Sequence, residues 1–143
     1  MFRKLTETVY ASPQIEVEDV ARARDMGVTL IINNRPDGES DDQVPSAEIA
    51  AAAAAAGLDY VAIPVSHAGF AEHQMTAMAQ ALESAKGGVL AYCRSGTRST
   101  LLWALARAKA GEDPARLTEE AAAAGYDLSP IRQMLDMLAA STR

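Results

Sequence analysis

The sequence contains a single cysteine, so no disulfide can form within the chain. The thiol must therefore be free, paired with another chain, or used chemically. Aromatic residues are also scarce, at 5% of 143 residues, whereas apolar residues make up 49%. This composition predicts a packed core built mainly from aliphatic side chains.

Positive charge is in the minority, with 13 Lys and Arg against 19 Asp and Glu and a net charge of −6. Domains that bind nucleic acids or anionic membranes present a basic face, so we expect neither partner. The seven alanines at 50–56 are too few for a membrane span, which needs about 20 apolar residues. The opening MFRKLTETVY lacks the apolar segment of a signal peptide. These absences predict a soluble, cytoplasmic protein.

Short apolar runs alternate with helical patterns, which is typical of an α/β fold with parallel strands. We predict buried strands at 28–32, 60–63 and 89–92, and a short edge strand at 8–11. Helices are predicted at 17–26, 45–56 and 71–85, and three more, at 99–110, 114–124 and 129–140, follow the cysteine. No linker or repeat divides the chain, so we expect residues 1–143 to form one domain.

The cysteine lies in AYCRSGTRST (91–100), where a predicted strand passes into a predicted helix. Such a turn points backbone N–H groups into a concavity, and the helix start adds partial positive charge. Gly96 permits unusual backbone angles, and Arg98 can close the cradle with its fork of donors. These groups would hold an anion and favour the thiolate of Cys93, which predicts a nucleophile. The predicted anion-binding loop is Arg94, Ser95, Gly96, Thr97, Arg98 and Ser99.

Ligands of parallel sheets bind beyond the carboxyl ends of the strands. Loops 33–39 and 64–70 should therefore converge with the cysteine loop on one pocket. Asn34 and Arg35 are candidate rim residues, and asparagine side chains there could bond the carbonyls of the cysteine loop. His67 and, alternatively, Asp37 are candidate general acids. With two histidines and one cysteine, we see no metal-ligand spacing and expect no metal or cofactor.

Three stretches, NNRPDGE (33–39), IPV (63–65) and LAYCRSGTRSTLLWAL (90–105), resemble the bacterial family of beta-lactamase hydrolase-like, phosphatase-like domains. Some of its members are labelled sulfur transferases. The resemblance implies a fold like that of the dual-specificity phosphatases, a short, mainly parallel sheet flanked by helices, with a cysteine loop before a long helix. It also implies that Cys93 is the nucleophile and Arg98 the anion-binding arginine.

The sequence departs from the protein phosphatase signature in three places. Tyr92 replaces the histidine before the cysteine, only four residues separate Cys93 from Arg98, and the loop at 66–69 has no aspartate. A cysteine loop of this smaller size resembles that of single-domain rhodaneses, which carry sulfur as a cysteine persulfide. Expelling an alkoxide from phosphorus needs a general acid, whereas sulfite or a thiolate leaves without one.

We therefore expect, first, a sulfurtransferase that takes sulfane sulfur from a small anionic donor, holds it on Cys93 and passes it to a thiol acceptor. The alternative is a cysteine-dependent phosphatase that acts on a phosphate ester through a phosphocysteine. A third alternative is a non-catalytic module that binds anions or senses oxidation. The apolar stripe of the last predicted helix would dock on the domain or on a second subunit. The second alternative would make the protein a homodimer.

Overall fold

The computed structural model describes residues 1–66 and 68–142. The strands within them are β1 (Arg3–Lys4), β2 (Val9–Ser12), β3 (Val28–Asn33), β4 (Asp59–Ala62) and β5 (Gly88–Tyr92). The helices are α1 (Val17–Asp25), α2 (Ser46–Ala55), α3 (Glu72–Ser84), α4 (Thr97–Lys109), α5 (Pro114–Ala123) and α6 (Arg132–Thr142). A 3₁₀ turn at Ser129–Ile131 precedes α6. The predicted α/β class is confirmed.

The five strands form one sheet in the order β1-β2-β5-β3-β4. β1 is antiparallel to β2, and every other pair is parallel. The prediction that residues 8–11 form an edge strand is wrong, because β2 lies inside the sheet with β1 paired along its outer side. β1 is only two residues long and both are charged, so it lacks the apolar pattern by which a strand is recognised.

Helices cover both faces of the sheet, which explains why β3 and β5 consist mostly of apolar residues. Along β5, Val89 and Ala91 pack with the core of α3 to α6, whereas Leu90 and Tyr92 pack with that of α1 and α2. α4 is the most enclosed helix, and its Trp103 is only 1% exposed. β5 and α4 are thus both immobilised by packing, and the cysteine loop joins them. No helix in the described part of the chain is long and apolar enough to cross a bilayer.

Candidate active site

Cys93 lies directly after β5, and its side chain is fully buried. Its Sγ accepts a hydrogen bond of 3.1 Å from the backbone N–H of Gly96. Gly96 caps α4 with a φ of 92°, a conformation that suits glycine. The helical bonding of α4 starts with the amide of Thr100, which donates to Gly96 O at 3.0 Å. The amides of residues 97–99 therefore precede it and form the electropositive end of the helix.

The outer side of the cysteine loop is held by the end of β2 and the segment that follows it. The amide of Cys93 donates to Ser12 O at 3.3 Å, and the amide of Gln14 donates to Arg94 O at 3.2 Å. The side chains of Arg94, Ser95 and Thr97 are exposed. The loop therefore contributes backbone groups to the interior and presents these three side chains to solvent.

The guanidinium of Arg98 joins the three loops that were predicted to converge. Its Nη1 donates to Glu39 Oε2 and to Val65 O, both at 2.7 Å, and its Nη2 donates to Glu39 Oε1 at 2.9 Å. The predicted convergence is thus observed, with residues from all three strand ends in direct contact. The Arg98 side chain is only 11% exposed, so it is turned inward.

These bonds leave a defined part of the Arg98 guanidinium for a ligand. A guanidinium has five N–H donors in one plane, and Glu39 accepts from the two terminal nitrogens while Val65 takes the second N–H of Nη1. The Nε–H and one Nη2–H take no part in these three bonds, and they form a fork that matches two oxygens of a phosphate. The pKa of Arg98 is raised, chiefly by the hydrogen bond to Glu39, and Cys93 contributes in the same direction.

Glu39 is the site residue to which the sequence analysis assigned no role. Its carboxylate is shared by Arg98 and by Arg35, whose Nε donates to Oε1 at 2.9 Å. The hydrogen bond from Arg98 is the main reason that the pKa of Glu39 falls to about 2; burial opposes this and Arg35 adds to it. Glu39 is therefore ionised near neutral pH and holds Arg98 in place. The two arginines at positions 35 and 98 were the signal that a carboxylate partner was needed.

Arg35 and Asn34, which were predicted as rim residues, are both buried. Arg35 is 5% exposed, and besides Glu39 it donates to Gln14 Oε1 at 2.9 Å and to Ser40 Oγ at 3.2 Å. The side chain of Asn34 donates to Ile63 O at 2.9 Å, and that of Asn33 donates to Tyr60 Oη at 3.1 Å. The expectation that these asparagine side chains bond the cysteine loop is therefore wrong, because the Asn33 side chain bonds β4 and that of Asn34 bonds the residue that follows β4.

The structure describes one of the two candidate acids. Asp37 is exposed, and its carboxylate accepts from Ser46 N and Ser46 Oγ, each at 2.9 Å, at the first residue of α2. These contacts give Asp37 a capping function rather than a place beside Cys93. His67 lies outside the described residues.

Two further observations concern the groups that could bind a ligand or a metal ion. Ser99, in the first turn of α4, is fully buried, and its Oγ has no hydrogen-bond partner among the described residues. Within residues 1–66 and 68–142, no three His, Cys, Asp or Glu side chains come close enough to hold a metal ion.

The family model described as "Beta-lactamase hydrolase-like protein, phosphatase-like domain" matches residues 1–110. The chain belongs to this family. A beta-lactamase hydrolase-like protein from Agrobacterium fabrum is 36% identical over 108 residues, which are 76% of this chain and 25% of that protein. The chain thus spans about a quarter of the length of the curated relatives it matches.

Two solved structures show how far the similarity of this phosphatase-like domain extends. A "putative phosphatase" from Neisseria meningitidis Z2491 is 36% identical, with a TM-score of 0.83, and the match covers 95% of this chain and 96% of that one. TpbA from P. aeruginosa, solved in complex with pTyr, is 19% identical with a TM-score of 0.65 over 95% of this chain and 86% of that one. The second similarity is one of fold alone, and the predicted dual-specificity-phosphatase-like fold is confirmed.

These comparisons favour the phosphatase alternative and do not support the sulfurtransferase that was expected first. That expectation depended on a short cysteine loop and on a missing aspartate in one loop. A missing residue at one position is weak evidence about a reaction, because the proton can come from another element. The structure from Neisseria meningitidis, whose match covers 95% of this chain, carries the name of a putative phosphatase.

Proposed function

We propose that this phosphatase-like domain hydrolyses phosphate monoesters through a phosphocysteine formed on Cys93. The observation that carries the proposal is the joint geometry of Arg98 and Cys93. Glu39 and Val65 hold the guanidinium through three of its five N–H groups, and Sγ accepts an amide hydrogen bond at the electropositive end of α4. Preorganised donors of this kind stabilise a phosphoryl group as charge develops on it.

The proposed reaction has two steps. In the first, the thiolate of Cys93 attacks phosphorus, an S–P bond forms, and the P–O bond to the leaving group breaks. The leaving oxygen takes a proton from a general acid or from water. In the second step water attacks phosphorus, the S–P bond breaks, and inorganic phosphate and the thiolate are released. Arg98 and the loop amides bind the phosphoryl oxygens throughout.

Aryl phosphates are the substrates of choice for a first test, because a phenolate leaves with little help from an acid. The complex of TpbA with pTyr makes phosphotyrosine a reasonable second substrate. We expect the wild type to turn over p-nitrophenyl phosphate and Cys93→Ser to lose at least about 10³-fold in kcat, as removal of an enzyme nucleophile does. Rapid quenching should trap one phosphoryl group on Cys93.

An unchanged kcat in Cys93→Ser would contradict the proposal. A parallel incubation with thiosulfate separates the proposal from sulfur transfer. A persulfide on Cys93, together with no turnover of any phosphate ester, would restore the sulfurtransferase hypothesis.

A further inference from the structure

One peptide unit of the cysteine loop is hydrogen-bonded at both ends. Its N–H, from Gly96, donates to Cys93 Sγ at 3.1 Å, and its carbonyl, from Ser95, accepts from Tyr126 Oη at 3.1 Å. The C=O and N–H of a trans peptide point in opposite directions from one rigid plane. The phenol and the thiol therefore contact opposite sides of the same unit, and the orientation of one end determines that of the other.

Tyr126 also packs directly on Gly96. A Cβ atom added to Gly96 would overlap the hydroxyl of Tyr126 and lie 2.9 Å from its Cζ. Glycine at position 96 thus permits both the backbone conformation at the start of α4 and the approach of the phenol ring. This contact is independent of the hydrogen bond to Ser95, and it gives Tyr126 a fixed position against the loop.

The ring of Tyr126 is itself anchored by elements outside the cysteine loop. Its amide donates to Ala121 O at 2.9 Å, which ties it to the end of α5. The guanidinium of Arg3, on β1, lies 5.5 Å from the ring centroid and donates to Ala124 O at 3.0 Å. The side chain is almost completely buried. An anchored phenol can orient the peptide, whereas a mobile one could not.

We propose that Tyr126 is a positioning residue whose hydroxyl orients the Ser95–Gly96 peptide so that its N–H stays directed at Cys93 Sγ. This inference rests on the phosphatase function proposed above. A hydrogen bond at a peptide carbonyl also polarises the unit and strengthens its N–H as a donor. Both effects favour the thiolate over the thiol. Tyr126 lies beyond residue 110, where the family match ends.

The test is the pH dependence of Cys93 alkylation by iodoacetamide in the wild type, Tyr126→Phe and Tyr10→Phe. Tyr126→Phe removes only the hydroxyl, and Tyr10→Phe makes the same change at a half-buried tyrosine of β2. We expect the midpoint of the alkylation profile to shift upward by about half to one pH unit in Tyr126→Phe, the equivalent of one hydrogen bond. The wild-type profile should persist in Tyr10→Phe.

Turnover of p-nitrophenyl phosphate supplies a second readout. At pH values below the wild-type alkylation midpoint, Tyr126→Phe should lose about 3- to 10-fold in kcat/KM. The loss should shrink as pH rises, because the thiolate then forms without help. A purely structural role would lower activity equally at every pH. An alkylation profile that coincides with that of the wild type would overturn the inference.

Two controls distinguish a failure of this inference from a failure of the proposed function and from a variant that does not fold. Alkylation needs no phosphatase activity, so a wild type that hydrolyses no phosphate would reject the proposed function and leave the profile of Tyr126→Phe as the test of this inference. Thermal unfolding shows whether the variant folds. If it does not, Arg3→Ala removes an anchor of the ring and leaves the hydroxyl, and it should shift the midpoint upward by a smaller amount. No shift in Arg3→Ala would then overturn the inference.

Discussion

At the scale of single residues, the site depends on charges that are already paired when substrate arrives. Glu39 accepts from both Arg35 and Arg98, so the orientation of the anion-binding guanidinium is set in advance. Preorganisation of this kind avoids reorganising the site during the reaction. A neutral side chain at position 39 would leave Arg98 and Arg35 close together without a counter-charge.

We therefore predict that Glu39→Gln lowers both kcat/KM for aryl phosphates and the free energy of unfolding at pH 7. The pKa of Glu39 is about 2 in the folded chain, below its ordinary value of about 4.3. Its contribution to stability is thus present above the ordinary pKa and is lost as pH falls towards 2. Urea unfolding should show a steeper loss of stability below about pH 5 in the wild type than in the variant.

Exposed Glu119 on α5 provides the matched control. Glu119→Gln should keep wild-type turnover and a wild-type pH dependence of stability. Equal pH slopes for the wild type and Glu39→Gln would contradict the assignment of Glu39 as an ionised partner of Arg98.

At the scale of elements, the loop after β3 serves two structures at once. Glu39 contacts the cysteine loop, whereas Asp37 bonds the first residue of α2 through both carboxylate oxygens. α2 has Pro45 at its N-cap position, and a proline side chain cannot accept a hydrogen bond. The carboxylate of Asp37 therefore satisfies an amide at the helix start that would otherwise lack a partner.

Asp37→Ala should consequently lower the free energy of unfolding by about 1 kcal/mol, as the loss of a helix cap does. Turnover of both aryl and alkyl phosphates should stay within about twofold of the wild type, since a general acid contributes about 10² or more. Asp41→Ala, in the same exposed loop, is the control for the loss of one negative charge. A selective loss of alkyl phosphate turnover in Asp37→Ala would instead identify this residue as the acid.

At the scale of the whole molecule, the helices beyond the family match complete both the core and the site. Leu117 on α5 and Leu135 on α6 are fully buried in the cluster that encloses α4. The same region supplies Tyr126 to the cysteine loop.

A cytoplasmic location, a single domain and a homodimer stay predictions.

Leu135→Ala should destabilise the chain by about 2–5 kcal/mol, because it removes a buried side chain and leaves a cavity. Met137→Ala, on the same helix at 66% exposure, should change the free energy of unfolding by no more than about 0.5 kcal/mol. Urea denaturation of both variants measures the difference. Similar values for the two would mean that α6 is not part of the cooperative core.

The elements and the cysteine loop could be predicted from the sequence because their signals are local. Apolar periodicity identified β3, β4 and β5 to within two residues, and glycine and proline marked the turns between them. Cys93, Gly96 and Arg98 lie within six positions, so one strand-to-helix turn brings them together. The two-residue β1 is too short to produce a local signal, and it was missed.

The sequence alone therefore determined the α/β class and the position of the cysteine loop, because short-range pattern and turn chemistry specify both. Only the tertiary structure decided which carboxylate holds Arg98 and which phenol holds the loop. Glu39 and Arg98 are 59 positions apart, and Tyr126 is 31 positions from Ser95. Such pairs form because the sheet order puts β3 beside β5 and because α5 packs on α4. No local pattern carries that information, since contact between distant residues depends on how whole elements pack.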